Sequence, residues 1–279
     1  MKLIFLFIYC VIIITIICIK LKNVPVEYYK SLLLISYDNK PVDQTNTKNL
    51  VKLSQNYDYF YKILGEGIPW SGWFGRFNQY KDFISSLDEN EYVLICDGRD
   101  VLINKQFPFD FVAKAESLCD LDKQIIFGAE RHCCCYIPEE YGRLPGMDES
   151  KNLNDIYIQF MKEQVFKNNP NYQFDYFFLN FGVFFGTVKN ILWMFSNLQM
   201  SENLDDQGMA YIFYYKYPDK IYLDSGQILI GNNGHKDCDL IWENNKFKNI
   251  KTSTYPVFLH FPGEGAQCYN DILPKLLKN

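Results

Sequence analysis

The sequence contains only three histidines and no Asn-x-Ser/Thr sequon, with no alanine before Ala113 and no glycine before Gly65. Without a sequon, N-glycosylation offers no sign of a lumenal location. The lack of small residues near the N-terminus excludes a signal-peptide cleavage site of the small-residue type there. Lysine and arginine total 28 against 33 aspartates and glutamates, a net charge of -5, and no basic stripe is present. Nucleic acid is therefore not an expected partner. Internal repeats and low-complexity tracts are absent, and the final Leu276-Leu277-Lys278-Asn279 is not an ER-retention tetrapeptide.

Long apolar runs are scarce, with one exception. Residues 3–19 are 17 in number and uncharged, flanked by Lys2, Lys20 and Lys22. That meets the lower bound of the ~17–25 residues that cross a bilayer. The expectation is an uncleaved single-pass transmembrane anchor over residues 1–22, a linker over 23–30 and a folded domain over 31–279. Lysines on both sides leave the orientation open. Two of the nine cysteines, Cys10 and Cys18, fall in the apolar run, leaving an odd seven outside it. His132 precedes Cys133-Cys134-Cys135, but three consecutive thiols cannot turn to one ion as cysteines spaced by two to four residues do. No metal is assigned there. A disulfide-bonded or redox-active loop and free thiols remain open.

The 23 Phe and 21 Tyr supply material for a large core. Strands are expected at 31–36, 59–64, 92–96, 124–127, 177–186, 221–224 and 257–260. Helical spacing falls at 45–55, 74–87, 109–118, 152–168 and 204–215. This alternation predicts an α/β domain with a parallel sheet covered on both faces. The polar stretch 130–150 is long enough to be a functional loop. Gly182 and Gly186, set in an aromatic run, mark sites where backbone can be closely approached.

The central stretch is Tyr92-Val93-Leu94-Ile95-Cys96-Asp97-Gly98-Arg99-Asp100-Val101-Leu102-Ile103. A buried strand ends at two carboxylates, and the chain must turn between them for both to meet one ligand; Gly98 permits that turn. Such a pair seats a hard divalent cation. Asp-Gly between apolar runs is equally a hairpin signal. The strands before it each return through a helix, which weakens the hairpin, and ligands of open α/β sheets sit at the carboxyl ends of strands.

Taken in order, VLICDGRDVLI, FGAE (127–130), LNFGVFFG (179–186), DDQ (205–207) and LHFPGEG (259–265) resemble the glycosyltransferase domain of the procollagen lysyl hydroxylase/glycosyltransferase family and the related procollagen galactosyltransferases. The resemblance implies a GT-A type, Rossmann-like mixed sheet flanked by helices. It implies manganese, rather than magnesium, held by Asp97, Asp100 and His260, and a UDP-sugar as donor. It implies Asp205, Asp206 and Glu130 as catalytic residues. Trp70, Arg76, Lys81, Asn180, Gly263 and Gly265 would line the donor site. The family's glycine-rich, lysine-bearing stretch reads here Gly75-Arg76-Phe77-Asn78-Gln79-Tyr80-Lys81, so Arg76 or Lys81 must serve the phosphate. The implied reaction moves a hexose, galactose or glucose, to a hydroxyl of a glycoprotein, a collagen-like protein or a glycan. Hydroxylysine and galactosyl-hydroxylysine are the collagen-like acceptors. A non-catalytic sugar-nucleotide or glycan-binding protein of the same fold is the alternative. A UDP-sugar enzyme with an N-terminal anchor is expected in the ER or Golgi membrane, with its domain lumenal.

Overall fold

The computed structural model describes residues 32–132, 137–198, 205–234 and 237–278. The expected anchor and linker, and the cysteine run 133–135, lie outside the described residues. Among those described, no helix is long and apolar enough to cross a membrane.

β1 (Leu32–Tyr37) passes through α1 (Thr47–Asn56) to β2 (Phe60–Leu64), and α2 (Gly72–Ile84) leads to β3 (Tyr92–Asp97) and a short β4 (Val101–Ile103). Next come α3 (Pro108–Leu118), β5 (Ile125–Glu130), α4 (Glu139–Gly142), α5 (Leu153–Asn168), β6 (Phe178–Thr187), α6 (Val188–Asn197) and α7 (Asp206–Lys216). β7 (Ile221–Asp224), β8 (Ile230–Asn232), β9 (Leu240–Glu243), β10 (Lys246–Asn249), β11 (Phe258–His260) and α8 (Ala266–Leu277) follow.

The sheet runs β2-β1-β3-β6-β5-β8-β11-β4, with β7 paired to β5, while β9 and β10 form a separate hairpin. It is mixed, not parallel throughout: β6 is antiparallel to both β3 and β5, and β4 is antiparallel to β11. A strand buried on both faces reads as a continuous apolar run whichever way it points, so alternation with helices could not reveal the reversal. The hairpin alternative is overturned, because β3 pairs with β1 and β6 while β4 pairs with β11.

That pairing forces the sheet to curl. β3 and β4 stand five places apart in strand order, roughly 24 Å in a flat sheet. Gly98, Arg99 and Asp100 join them, and such a link reaches at most about 15 Å. Only a curled sheet brings the β4 edge back beside the end of β3.

Side-chain alternation along the strands sorts the core into two layers. Ile35, Tyr37, Val93 and Ile95 pack with Phe77, Met161, Phe184 and Phe213 on one face. Leu32, Leu34, Tyr92, Leu94 and Cys96 pack with Leu50, Phe111, Phe258 and Ile272 on the other. Burial of both faces is what makes these strands apolar throughout, and it leaves Asp97 as the first carboxylate of β3.

Candidate active site

Asp97 ends β3, Asp100 immediately precedes β4, and His260 ends β11 opposite Val101. Curling the sheet therefore delivers three potential ligands to one point, their nearest ligand atoms within 4.8 Å of one another. His260 Nε2 lies 3.7 Å from Asp97 Oδ2 and 3.6 Å from Asp100 Oδ2.

The histidine tautomer follows from its neighbours. Asn232 Nδ2 donates to the Ala129 carbonyl at 2.9 Å, which turns Asn232 Oδ1 towards His260 Nδ1 at 2.7 Å. Nδ1–H donates to that oxygen, so the neutral ring presents its Nε2 lone pair to the carboxylates, the arrangement that orients metal-bound imidazoles. His260 Nε2 and Asp100 Oδ1 are buried without a hydrogen-bond partner in the structure. Unsatisfied buried acceptors are costly, and a divalent cation would satisfy them. Two hard carboxylates with one imidazole form a donor set for a divalent cation. The residues fit such an ion.

Crowding sets opposed protonation tendencies. Burial raises the Asp97 carboxyl above its usual range, with Asp100 adding to the rise against the pull of Arg76 and His260. At Asp100, burial is outweighed by His260, and the result is a lowered pKa. Burial would lower His260, yet Asp100 and Asp97 carry it upward.

Two glycines give the space for this packing. A Cβ on Gly182 would fall 2.2 Å from His260 Cε1 and 2.8 Å from Asp97 Oδ2. Gly182 belongs to a bulge of β6, where pairing jumps from Phe127–Phe184 to Gly128–Asn180. What approaches the backbone here is the ligand cluster itself. Gly98 serves space rather than an unusual turn: a Cβ would meet Ser36 Oγ and Thr47 Oγ1 at 2.7 Å, and its φ is not among the positive ones.

Arg99, to which sequence reading gave no role, pins this loop. Its Nη2 donates to Asp38 Oδ1 at 2.6 Å and its Nε to Asp38 Oδ2 at 3.2 Å. Asp38 also accepts from the hydroxyls of Thr45 and Thr47 and from the Lys40 amide. Burial would raise the Asp38 pKa, but Arg99 and these donors hold it far below the carboxylate range.

Across from the ligands, Asp205 caps α7 by accepting from the Gly208 amide at 2.6 Å, and Asp206 opens the helix. Asp206 forms an ion pair with Arg76, which also donates to Asp97 Oδ1 at 2.8 Å. Burial, with the Asp97 and Asp205 charges, pushes Asp206 up to about 6 despite Arg76. Gln207 holds this wall together: its amide nitrogen donates to Glu130 Oε1 at 2.8 Å and to the Leu179 carbonyl, while its oxygen accepts from the Phe181 amide. The DDQ motif contained Gln207, but nothing local marked it as a clamp between β5 and β6.

Two cavities lie here. One of about 380 Å³ is lined by Tyr37, Asp38, Asn39, Trp70, Trp73, Arg76 and the Asp97–Asp100 turn. The other, about 600 Å³, is lined by Trp73, Glu130, Arg131, Asn180, Asp205, Asp206, Gln207 and Gly263, among others. Both volumes suit a small-molecule site. Trp70 stands edge-on to Tyr37, with ring centroids 5.8 Å apart. Of the remaining expected residues, neither Gly265 nor Lys81 lines either cavity: Gly265 is buried, a Cβ there falling 2.3 Å from the Asn233 carbonyl oxygen, and Lys81 is exposed on α2. Sequence reading also missed a disulfide, Cys238–Cys268, which ties the segment after Gly234 to α8.

Fold and site together define a mixed α/β protein with a carboxylate–histidine cluster able to hold a cation, its two carboxylates lining a cleft. No family model matches the chain. An uncharacterized protein of Acanthamoeba polyphaga mimivirus, R699, is 24% identical over 229 residues, 78% of this chain and 43% of that protein. The chain thus spans less than half the length of the curated relative it matches. A glycosyltransferase involved in the glycosylation of the major capsid of PBCV-1 is similar with a TM-score of 0.48 and 12% identity, over 88% of this chain and 98% of that one. The 4-diphosphocytidyl-2C-methyl-D-erythritol synthase of Anaerococcus prevotii gives a TM-score of 0.35 and 10% identity, over 70% of this chain and 88% of its own. With TM-scores below 0.5, neither structure establishes a shared fold.

Proposed function

We propose that this chain is a metal-dependent glycosyltransferase of the GT-A type, moving a hexose from a UDP-sugar to an acceptor hydroxyl. The observation that carries the reading is the cluster Asp97–Asp100–His260, with buried, unpartnered acceptor atoms beside the smaller cleft. When bound, the cation would neutralise the charge that develops on the departing diphosphate.

The protein's own groups divide the remaining work. Tyr37 and Trp70 present ring surfaces in the smaller cleft, suited to a flat base. Asn180, Glu130 and the Asp205–Asp206 pair line the larger cavity, where the sugar and the acceptor hydroxyl would meet. A carboxylate with a pKa of about 6 accepts a proton near neutral pH, which suits Asp206 to orient or deprotonate the acceptor. We assign galactose or glucose as the sugar and a glycoprotein, collagen-like protein or glycan as the acceptor. Hydroxylysine and galactosyl-hydroxylysine are the first acceptors to try. Residues 1–22 would hold the enzyme in the ER or Golgi membrane with its domain lumenal; protection of a tagged C-terminus from protease in microsomes tests this.

The activity test is UDP release over a panel of UDP-sugars and acceptors, with and without manganese. The reading expects a manganese-dependent rate that Asp97→Ala and Asp100→Ala abolish. Unchanged turnover in both variants would remove the metal assignment. Nucleotide binding without transfer to any acceptor would leave a sugar-nucleotide-binding protein.

A further inference from the structure

Arg76 touches both halves of the site. It lies on α2, its side chain only 9% exposed, beside the Trp73 shared by the two cavities. One terminal nitrogen donates to Asp97 Oδ1 at 2.8 Å and the other to Asp206 Oδ2. The guanidinium carbon sits 4.6 Å from the centroid of the Trp73 ring and 5.9 Å from that of Tyr80. Aromatic faces thus help hold the fork in place. A buried cation is stable only when paired, so Arg76 depends on both carboxylates and they on it.

The consequence for Asp97 is geometric. Its Oδ1 is taken by Arg76, and its Oδ2 is the oxygen 3.7 Å from His260 Nε2. Arg76 therefore sets the rotation of the carboxylate, choosing which oxygen meets a cation. The same planar fork fixes Asp206 on its other tine. Lysine cannot do this, because its compact ammonium lacks the rigid two-pronged geometry.

We propose that Arg76 is a positioning residue: it presents Asp97 Oδ2 to the cation and couples that ligand to Asp206 through one side chain. This is a role beside the phosphate contact that the resemblance implied for Arg76: two of its five N–H donors go to carboxylates, and donors remain on the same fork. The task given to Asp206 rests on the glycosyltransferase reading, but the coupling to the cation does not.

The test is titration of manganese alone into the full chain in detergent, followed by electron paramagnetic resonance, for wild type, Arg76→Lys, Asp206→Asn and the double variant. Circular dichroism melts confirm folding. Arg76→Lys keeps the charge and loses the fork, and should weaken manganese about 10–100-fold. Asp206→Asn, which removes no ligand, should weaken it several-fold, and this effect should shrink in the Arg76→Lys background. Wild-type affinity in a folded Arg76→Lys, with only the UDP-sugar KM raised, would return Arg76 to a phosphate contact and overturn the proposal. If Arg76→Lys does not fold, Asp206→Asn decides: unchanged manganese affinity refutes the coupling. A wild-type chain that binds no manganese sinks both this inference and the metal-dependent reading. Normal coupling without sugar transfer to any acceptor removes only the transferase reading.

Discussion

The two clefts, which share Trp73 in their linings, are built by different means, and each holds a little-exposed carboxylate, the two behaving oppositely. The smaller cleft draws on residues 37–39, 70–76 and 97–100, brought together because β1 and β3 are adjacent parallel strands. Its Asp38 is surrounded by donors, so the charged form wins over burial. The larger cavity gathers residues from Trp73 to Glu264, carried there by β5, β6, β8 and the segment after β11. Its Asp206 faces the Asp97 and Asp205 carboxylates as well as Arg76, so burial wins and the proton is retained up to about 6. Enclosure alone does not set protonation; the partner set decides. One wall is a mount whose carboxylate stays charged, and the other holds a carboxylate that keeps its proton up to about 6.

The largest effect expected is on the seam between the walls. Asp97→Ala or Asp100→Ala should lower manganese-dependent turnover by at least about 100-fold, read by UDP release. Gly182→Ala comes next. Its methyl would enter the space of His260 and Asp97 Oδ2, so the ring must shift. Overpacking of this kind costs about 1–3 kcal/mol, and a variant with both native melting temperature and native manganese affinity would contradict the packing described.

On the mount, Asp38→Ala strips partners from Arg99, Thr45, Thr47 and the Lys40 amide. A loss on the order of 3 kcal/mol is expected, measured by denaturant unfolding. Acid sharpens the contrast. The depressed Asp38 contributes stability that is present above its unfolded pKa of ~3.9 and lost as pH falls through its folded value. The raised Asp206 has the reverse sign. Its contribution is full below 3.8 and lost as pH rises through about 6. In metal-free protein, Asp206→Asn should flatten the stability slope between roughly pH 4 and 6; with manganese supplied, wild-type turnover should rise with pH as the Asp206 proton leaves. A slope unchanged in Asp206→Asn would assign the titration elsewhere. The smallest effect is at Lys81. Exposed on α2 and outside both linings, its replacement by alanine should leave the UDP-sugar KM unchanged; a clear rise would show that Lys81 reaches the donor.

Legibility in the sequence followed the range of the interaction. Asp97 and Asp100 could be read because two carboxylates at a strand end are three residues apart and local turn chemistry applies. Strands β1, β3 and β5 and helices α1, α3 and α5 were legible from periodicity alone, to within a residue or two at most ends. Arg99 was not, since its partner lies 61 residues away. Neither were Asn232, whose value is the tautomer it imposes on His260, and Gln207, whose partners span β5, β6 and α7. The direction of β6 was hidden because an apolar strand buried on both faces looks the same in either sense.

By itself the sequence determined the apolar strands, their alternation with helices and a pair of carboxylates at the end of one of them. Those properties depend on side-chain periodicity and on neighbours within a few residues. Only the tertiary structure decided that β4 pairs with β11 rather than with β3. A three-residue link can reach across that sheet only if it curls, and the curl sets His260 beside Asp97 and Asp100. It likewise decided that Arg76 bridges Asp97 and Asp206, because long-range ion pairs depend on which surfaces are buried together rather than on spacing along the chain.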